Sequence, residues 1–201
     1  VISNGMAQLD FQSIWPVIRD RPPTPELIQS LATPKLLEFR ELVSSLVLTQ
    51  GRKVVVFSQW RRMIQLAEWA IRGLFAAAGL RAVFFTGHEN QKRRTQNIVD
   101  FHDDPSTVVL FASDAGGTGL NLQRAASCCI NLELPWNPAV LEQRIGRIYR
   151  NGQKLPVDTY NLVSNYGIES RIASLVSNKQ AVFQGLFDGV TDTVLFDKNS
   201  S

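Results

Sequence analysis

A three-layer α/β/α domain built on a mainly parallel sheet is the fold that this sequence predicts. Short runs of β-branched and aromatic residues, apolar on both faces, alternate with longer helical stretches. Strands of that kind belong to sheets covered by helices on both sides. Residues able to bind ligands cluster directly after those runs, at the strand ends where open α/β sheets gather their ligands. With 201 residues, 44% hydrophobic and 19% charged, the chain can bury a sizeable core. Right-handed crossovers between the strands are expected.

The elements follow in order. Residues 1–32 hold four of the nine prolines (Pro16, Pro22, Pro23 and Pro25), with Pro34 just beyond, and start without a methionine. They are expected to form a connector from an upstream region, so the chain is expected to be part of a longer protein. The domain proper is expected over 33–188, with a loose polar tail over 189–201. Thr33-Pro34 makes a cap and first helical position, and Leu36, Leu37, Leu42, Val43, Leu46 and Val47 line a helix that closes near Gly51. The strand Val54–Phe57 leads to a helix from about Gln59 to Ala78, on which Trp60 and Trp69 are expected to pack in the core. Ala82–Phe85 precedes a helix near Asn90 to Phe101, and Val108–Phe111 leads into a glycine-rich turn. Cys128–Leu132 precedes a helix from Pro138 to about Tyr149, and Thr159–Val163 precedes a last helix over roughly Ile168 to Phe187.

Several classes of function are set aside by composition. A net charge of +3 permits a nucleic-acid partner without requiring one. The two cysteines, Cys128 and Cys129, are adjacent, lie in an apolar run and have no His or Cys at ligand spacing, so they read as buried thiols of a reducing compartment. No apolar run reaches the roughly 18 residues of a membrane span. Neither a nucleotide-gripping Gly-Lys-Ser/Thr loop nor a Gly-x-Ser-x-Gly elbow occurs.

Two segments carry the chemistry. In Gln143–Gln153, Arg144, Arg147 and Arg150 recur every three residues and would form one slowly drifting stripe on a helix. None has a carboxylate three or four residues away, and guanidinium groups suit the spread negative charge of a transferring phosphoryl group. A solvated basic face is the plainer alternative. Ser113–Leu122 places Gly116, Gly117 and Gly119 in four positions, so backbone amides can approach an anion, with the Thr118 hydroxyl as a further donor. A tight turn without a ligand is the alternative there. His88 is read as an ordinary loop histidine, and His102 as a helix end near complementary charge. The chain thus offers phosphate-binding parts without the part that normally grips a nucleotide, which points to half of a site.

Six blocks in order resemble the C-terminal RecA-like lobe of a Swi/Snf-family ATPase, within helicase superfamily two. Lys53–Trp60 resembles motif four, and Thr86-Gly87 before Arg93 and Arg94 resembles the block after it. Ser113–Leu122 resembles motif five, Pro135-Trp136-Asn137-Pro138 the tryptophan block, Gln143–Gln153 motif six, and Gly167–Ile172 with Lys179 the closing signature. Tyr149 and Asn151 stand where many eukaryotic remodellers carry histidine and a branched apolar residue, and Ala125-Ala126-Ser127 lacks the usual acidic residue, while the run Gln143-Arg144-Ile145-Gly146-Arg147 is nearer to bacterial members and general superfamily-two helicases.

The resemblance implies a role for each block. ATP with Mg²⁺ would sit between two lobes, its metal ligands on an N-terminal RecA-like lobe of the same polypeptide. Arg147 and Arg150 would be catalytic arginine fingers. Gly116, Gly117, Gln143 and Arg144 would form the ATP-facing surface, while Ser58, Gln59 and Thr118 would meet the backbone of double-stranded DNA. Trp136 would couple the DNA and ATP sites, with a core aromatic as the alternative. No metal site of its own and no membrane partner are expected. The setting implied is cytoplasmic and nucleoid-associated in a bacterium, or nuclear in a eukaryote. By itself this chain is expected to be inactive as an ATPase. A docking module that keeps the fold without the catalysis is the alternative function. A stand-alone enzyme for a small phosphorylated ligand would need a complete site, which is not found.

Overall fold

The computed structural model describes residues 11–21, 23–24, 26–27, 34–114, 120–149 and 157–163. The expected last helix, the tail, Arg150, Gly116, Gly117 and Thr118 lie outside them. Among the described residues, five strands form one sheet: β1 (Val54–Phe57), β2 (Arg81–Phe85), β3 (Thr107–Ala112), β4 (Cys128–Asn131) and β5 (Asp158–Asn161). Their order is β2-β3-β1-β4-β5 and every pairing is parallel. The predicted fold class is therefore observed, with all described strands parallel.

The strand runs alternate between two cores, as a sheet with both faces covered requires. Val54, Val56, Val109, Phe111, Cys128 and Ile130 pack on one face with residues of α2 (Pro34–Ser44) and α3 (Arg61–Ala77). Val55, Phe57, Leu110, Ala112 and Cys129 pack on the other with Phe101 of α4 (Gln91–Asp103) and with Leu122 and Ile148. Both cysteines are free and buried, as their apolar run predicts, and burial pushes the Cys128 thiol up to about 12. Among the described residues no helix is long and apolar enough to cross a membrane.

Within the stretch read as a connector, Phe11–Ile18 forms a helix, α1. It is fastened to the domain through Trp69, which is fully buried and whose Nε1 donates to the carbonyls of Ile18 and Arg21, each at 3.1 Å. Trp69→Ala is expected to lower stability by about 3–5 kcal/mol, read as a shift in denaturant midpoint. Trp60 corrects the expectation made for both tryptophans. It is 52% exposed, because α3 begins only at Arg61 and Trp60 has extended backbone ahead of it. The preceding turn is held by Ser58 Oγ, which accepts from Trp60 N at 3.0 Å.

The remaining elements lie close to their expected places. The first long helix ends as an α-helix at Ser44, runs on as a π-helical turn over Ser45–Thr49, and closes at Gly51, whose φ of 66° suits glycine. Asn90 caps α4 by accepting from Arg93 N at 2.8 Å. Helix α5 (Pro138–Gly146) starts with Asn137 accepting from Ala139 N at 3.1 Å and proline in its first turn. It ends three residues before the predicted Tyr149. The end is marked by the Arg147 carbonyl, which accepts from Leu122 N at 2.9 Å.

Candidate functional site

The sheet register decides where the candidate residues meet. Phe57 aligns with Ala112 and with Asn131, Phe85 aligns with Ala112, and Asn131 aligns with Asn161. Whatever follows each strand therefore emerges at one edge of the sheet: Ser58 and Gln59 after β1, Thr86 after β2, Asp114 after β3 and Glu133 after β4. Helix α5 enters the same edge through Arg144. An open cleft there is lined by Gln59, Arg61, Thr86, His88, Ser113 and Asp114, among others. His88 is exposed in the turn where Thr86 donates through its N and Oγ1 to Glu89.

Arg144 is the centre of this edge, and it is not an exposed arginine. It is 1% exposed, and its Nε and Nη2 form a two-pronged ion pair with Asp114 at 2.7 and 2.8 Å. Its Nη1 donates to Asn131 Oδ1 at 3.0 Å and to the Glu133 carbonyl at 3.1 Å. Nη2 also lies 3.6 Å from Glu133 Oε1. One guanidinium thus ties the ends of β3 and β4 to α5, and the planar fork is what lets it do so. Sequence spacing hid the partner because Asp114 lies 30 residues away. The signal for it was an acidic residue immediately after a buried strand, and for Glu133 an acid set between Leu132 and Leu134.

Arg147 differs. It occupies the C-cap of α5, half-buried, and among the described residues its guanidinium makes no ion pair. Burial holds its pKa below the usual guanidinium range, and the charge of Asp114, already engaged by Arg144, pulls the other way. The expected stripe is therefore not a single face: Arg144 points into the fold while Arg147 stands at the helix end. The stretch of the glycine loop that is described ties to this segment at both ends. Asp114 precedes it and binds Arg144, and Leu122 follows it and donates to the Arg147 carbonyl. Gln123 Nε2 adds a bond to the Tyr149 carbonyl at 3.4 Å.

The other candidates divide similarly. Gln143 is exposed on α5. Trp136 is 58% exposed, so the core-aromatic alternative does not hold. Gln59 is exposed, and its backbone N donates to Glu133 Oε1 at 2.6 Å. Ser58, read as a DNA contact, is fully buried, and its hydroxyl donates to Glu133 Oε2 at 2.8 Å. His102 ends α4 and bonds through Nε2 to the Asn121 carbonyl at 3.2 Å. Among the described residues no three His, Cys, Asp or Glu side chains gather where they could hold a metal ion.

Known proteins resemble this chain in sequence and in fold. Residues 35–152 match the family described as helicase conserved C-terminal domain. An uncharacterized ATP-dependent helicase of Bacillus subtilis, YqhH, is 44% identical over 84 residues, which cover 42% of this chain and 15% of that protein. The ATP-dependent DNA helicase DDM1 of Arabidopsis thaliana is 32% identical over 160 residues, covering 79% of this chain and 20% of that protein. The chain thus spans 15–20% of the length of these two relatives. The Sulfolobus solfataricus SWI2/SNF2 ATPase core in complex with dsDNA superposes with a TM-score of 0.62 at 24% identity, over 89% of this chain and 38% of that one, and shares the RecA-like fold. With the family matched over more than half of its residues, the chain belongs to the helicase conserved C-terminal domain family, and its RecA-like fold is the one seen in SWI2/SNF2 ATPase C-terminal domains.

Proposed function

We propose that this chain is the second half of an ATP site in a DNA-dependent translocase that moves on double-stranded DNA, and that Arg147 is its arginine finger. One observation carries the reading. Of the two described arginines of the motif, Arg144 is saturated by internal partners, whereas Arg147 is half-buried and makes no ion pair among the described residues. A cation with no ion pair among the described residues, in a partly desolvated place, is suited to a charge that arrives from elsewhere, and the γ-phosphate on a facing lobe is such a charge. Arg150 would act beside it, with Gly116 and Gly117 approaching the nucleotide.

The facing lobe would supply the nucleotide grip and the acids for Mg²⁺. Double-stranded DNA would be met by Gln59, and by Thr118, which lies outside the described residues. Ser58 would act there through the turn it holds, since its hydroxyl faces inward. The relatives support this direction: one is named an ATP-dependent DNA helicase, and the Sulfolobus core is described with dsDNA. A nucleoid or nuclear setting follows from the DNA.

The test is ATP hydrolysis by the polypeptide that carries this chain together with a first lobe, with and without duplex DNA. Stimulation by DNA that fades as salt rises is expected, because backbone contacts release counterions. No hydrolysis under either condition, from a folded protein with an intact first lobe, would favour a docking module instead.

A further inference from the structure

Among the described residues Glu133 is the one buried acid at the functional edge, and both oxygens of its carboxylate are in use. It is 7% exposed. Oε2 accepts from Ser58 Oγ at 2.8 Å, Oε1 accepts from Gln59 N at 2.6 Å, and Oε1 lies 3.6 Å from Arg144 Nη2. The same residue's carbonyl accepts from Arg144 Nη1 at 3.1 Å. One side of Glu133 therefore holds the turn after β1, and the other holds the guanidinium whose helix leads directly into Arg147, whose N donates to the Arg144 carbonyl at 3.3 Å.

We propose that Glu133 is a positioning residue that transmits contact at the Ser58–Gln59 turn to Arg147 through Arg144. The inference rests on the function proposed above. No other described side chain bonds both to that turn and to the arginine segment. The link to Arg144 needs an ionised carboxylate: an amide keeps an acceptor for Gln59 N and can donate to the Ser58 hydroxyl, but it carries no negative charge to hold the guanidinium. A displaced turn pulls on one oxygen pair, and the rigid fork of Arg144 passes that movement to α5.

The charged groups that face this carboxylate are Arg144 from α5 and Lys35 from α2, with Asp114 at the end of β3 behind Arg144. Burial pushes Glu133 up to about 7, opposed by the bonds from Gln59 and Ser58 and by the charges of Arg144 and Lys35. The acid therefore changes charge near neutral pH, and the link it forms is pH-sensitive.

The experiment uses the two-lobe polypeptide and compares it with its Glu133→Gln and Glu133→Asp forms. DNA-stimulated ATP hydrolysis is followed from acid to alkaline pH, and hydrogen exchange is measured over residues 58–60 and 144–149. Wild type should gain stimulation through an inflection near pH 7 as the carboxylate ionises. Glu133→Gln should lose that inflection and roughly two- to thirty-fold of the stimulation at alkaline pH. In the same variant both segments should exchange faster together, and Glu133→Asp should recover part of each effect. Superposed pH profiles for wild type and Glu133→Gln overturn the proposal, as does faster exchange in only one of the two segments. Should Glu133→Gln fail to fold, Ser58→Ala replaces it: losing one donor to the charged form should move the inflection upward, and an unmoved inflection overturns the proposal. Wild type without any DNA stimulation would remove the motor reading and this inference with it, whereas a stimulated wild type with an indifferent Gln form removes Glu133 alone.

Discussion

Arg147→Ala is expected to slow DNA-stimulated ATP hydrolysis by about 10³–10⁵-fold in the two-lobe protein, while the affinity for ATP in the ground state changes far less. The reason lies in where its charge sits. Its guanidinium has no ion-pair partner among the described residues and is partly desolvated, so it gains most when the phosphoryl group in transfer spreads its charge. An effect confined to the transition state lowers kcat and kcat/KM together. Arg147→Lys should recover little, because an ammonium cannot present the two parallel donors of the planar fork. The checking measurement is steady-state hydrolysis at saturating DNA, and a variant that keeps its kcat would pass the role to Arg150.

Arg144→Ala should act on folding rather than on chemistry. Removing the guanidinium strands Asp114, Asn131 Oδ1 and the buried Glu133 at once. Breaking a buried ion pair on one side costs about 3–5 kcal/mol, a large part of the roughly 5–15 kcal/mol that holds a domain together. Thermal or denaturant unfolding should show the loss directly. Asp114→Ala should also destabilise, and the double variant should lose less than the two single losses added, since the second change removes a group already left unpaired. An Arg144→Ala protein that unfolds at the wild-type midpoint would mean that the internal ion pairs contribute nothing net.

The layers of the fold were legible because the strands announce themselves. Val54–Phe57 and Val108–Phe111 are apolar on both faces, and the structure buries every one of these residues. Asn90 and Asn137 carry their own caps, so the starts of α4 and α5 could be read within a residue. Local windows failed where a distant residue decided the outcome. Local windows place Trp60 on a helix because its neighbours suit one, yet the Ser58 hydroxyl and Glu133 hold the chain extended through Trp60. Arg144 looked unpaired because a parallel sheet brings its partner from 30 residues away, across two strand ends. The end of α5 was set by Leu122, which captures the Arg147 carbonyl from a segment no periodicity connects to it. The family's motifs pick out residues that the structure brings to one end of the sheet, but they do not distinguish Arg144, held by internal partners, from Arg147, which makes no ion pair among the described residues.

The affinity of the two-lobe protein for ADP with aluminium fluoride, compared with ADP alone, tests Arg147 most directly, because the fluoride adduct imitates the phosphoryl group in transfer. Wild type should bind the adduct at least ~100-fold more tightly than ADP, and Arg147→Ala should lose that preference while holding ADP as before. Equal preference for the adduct in both proteins would take Arg147 out of the site.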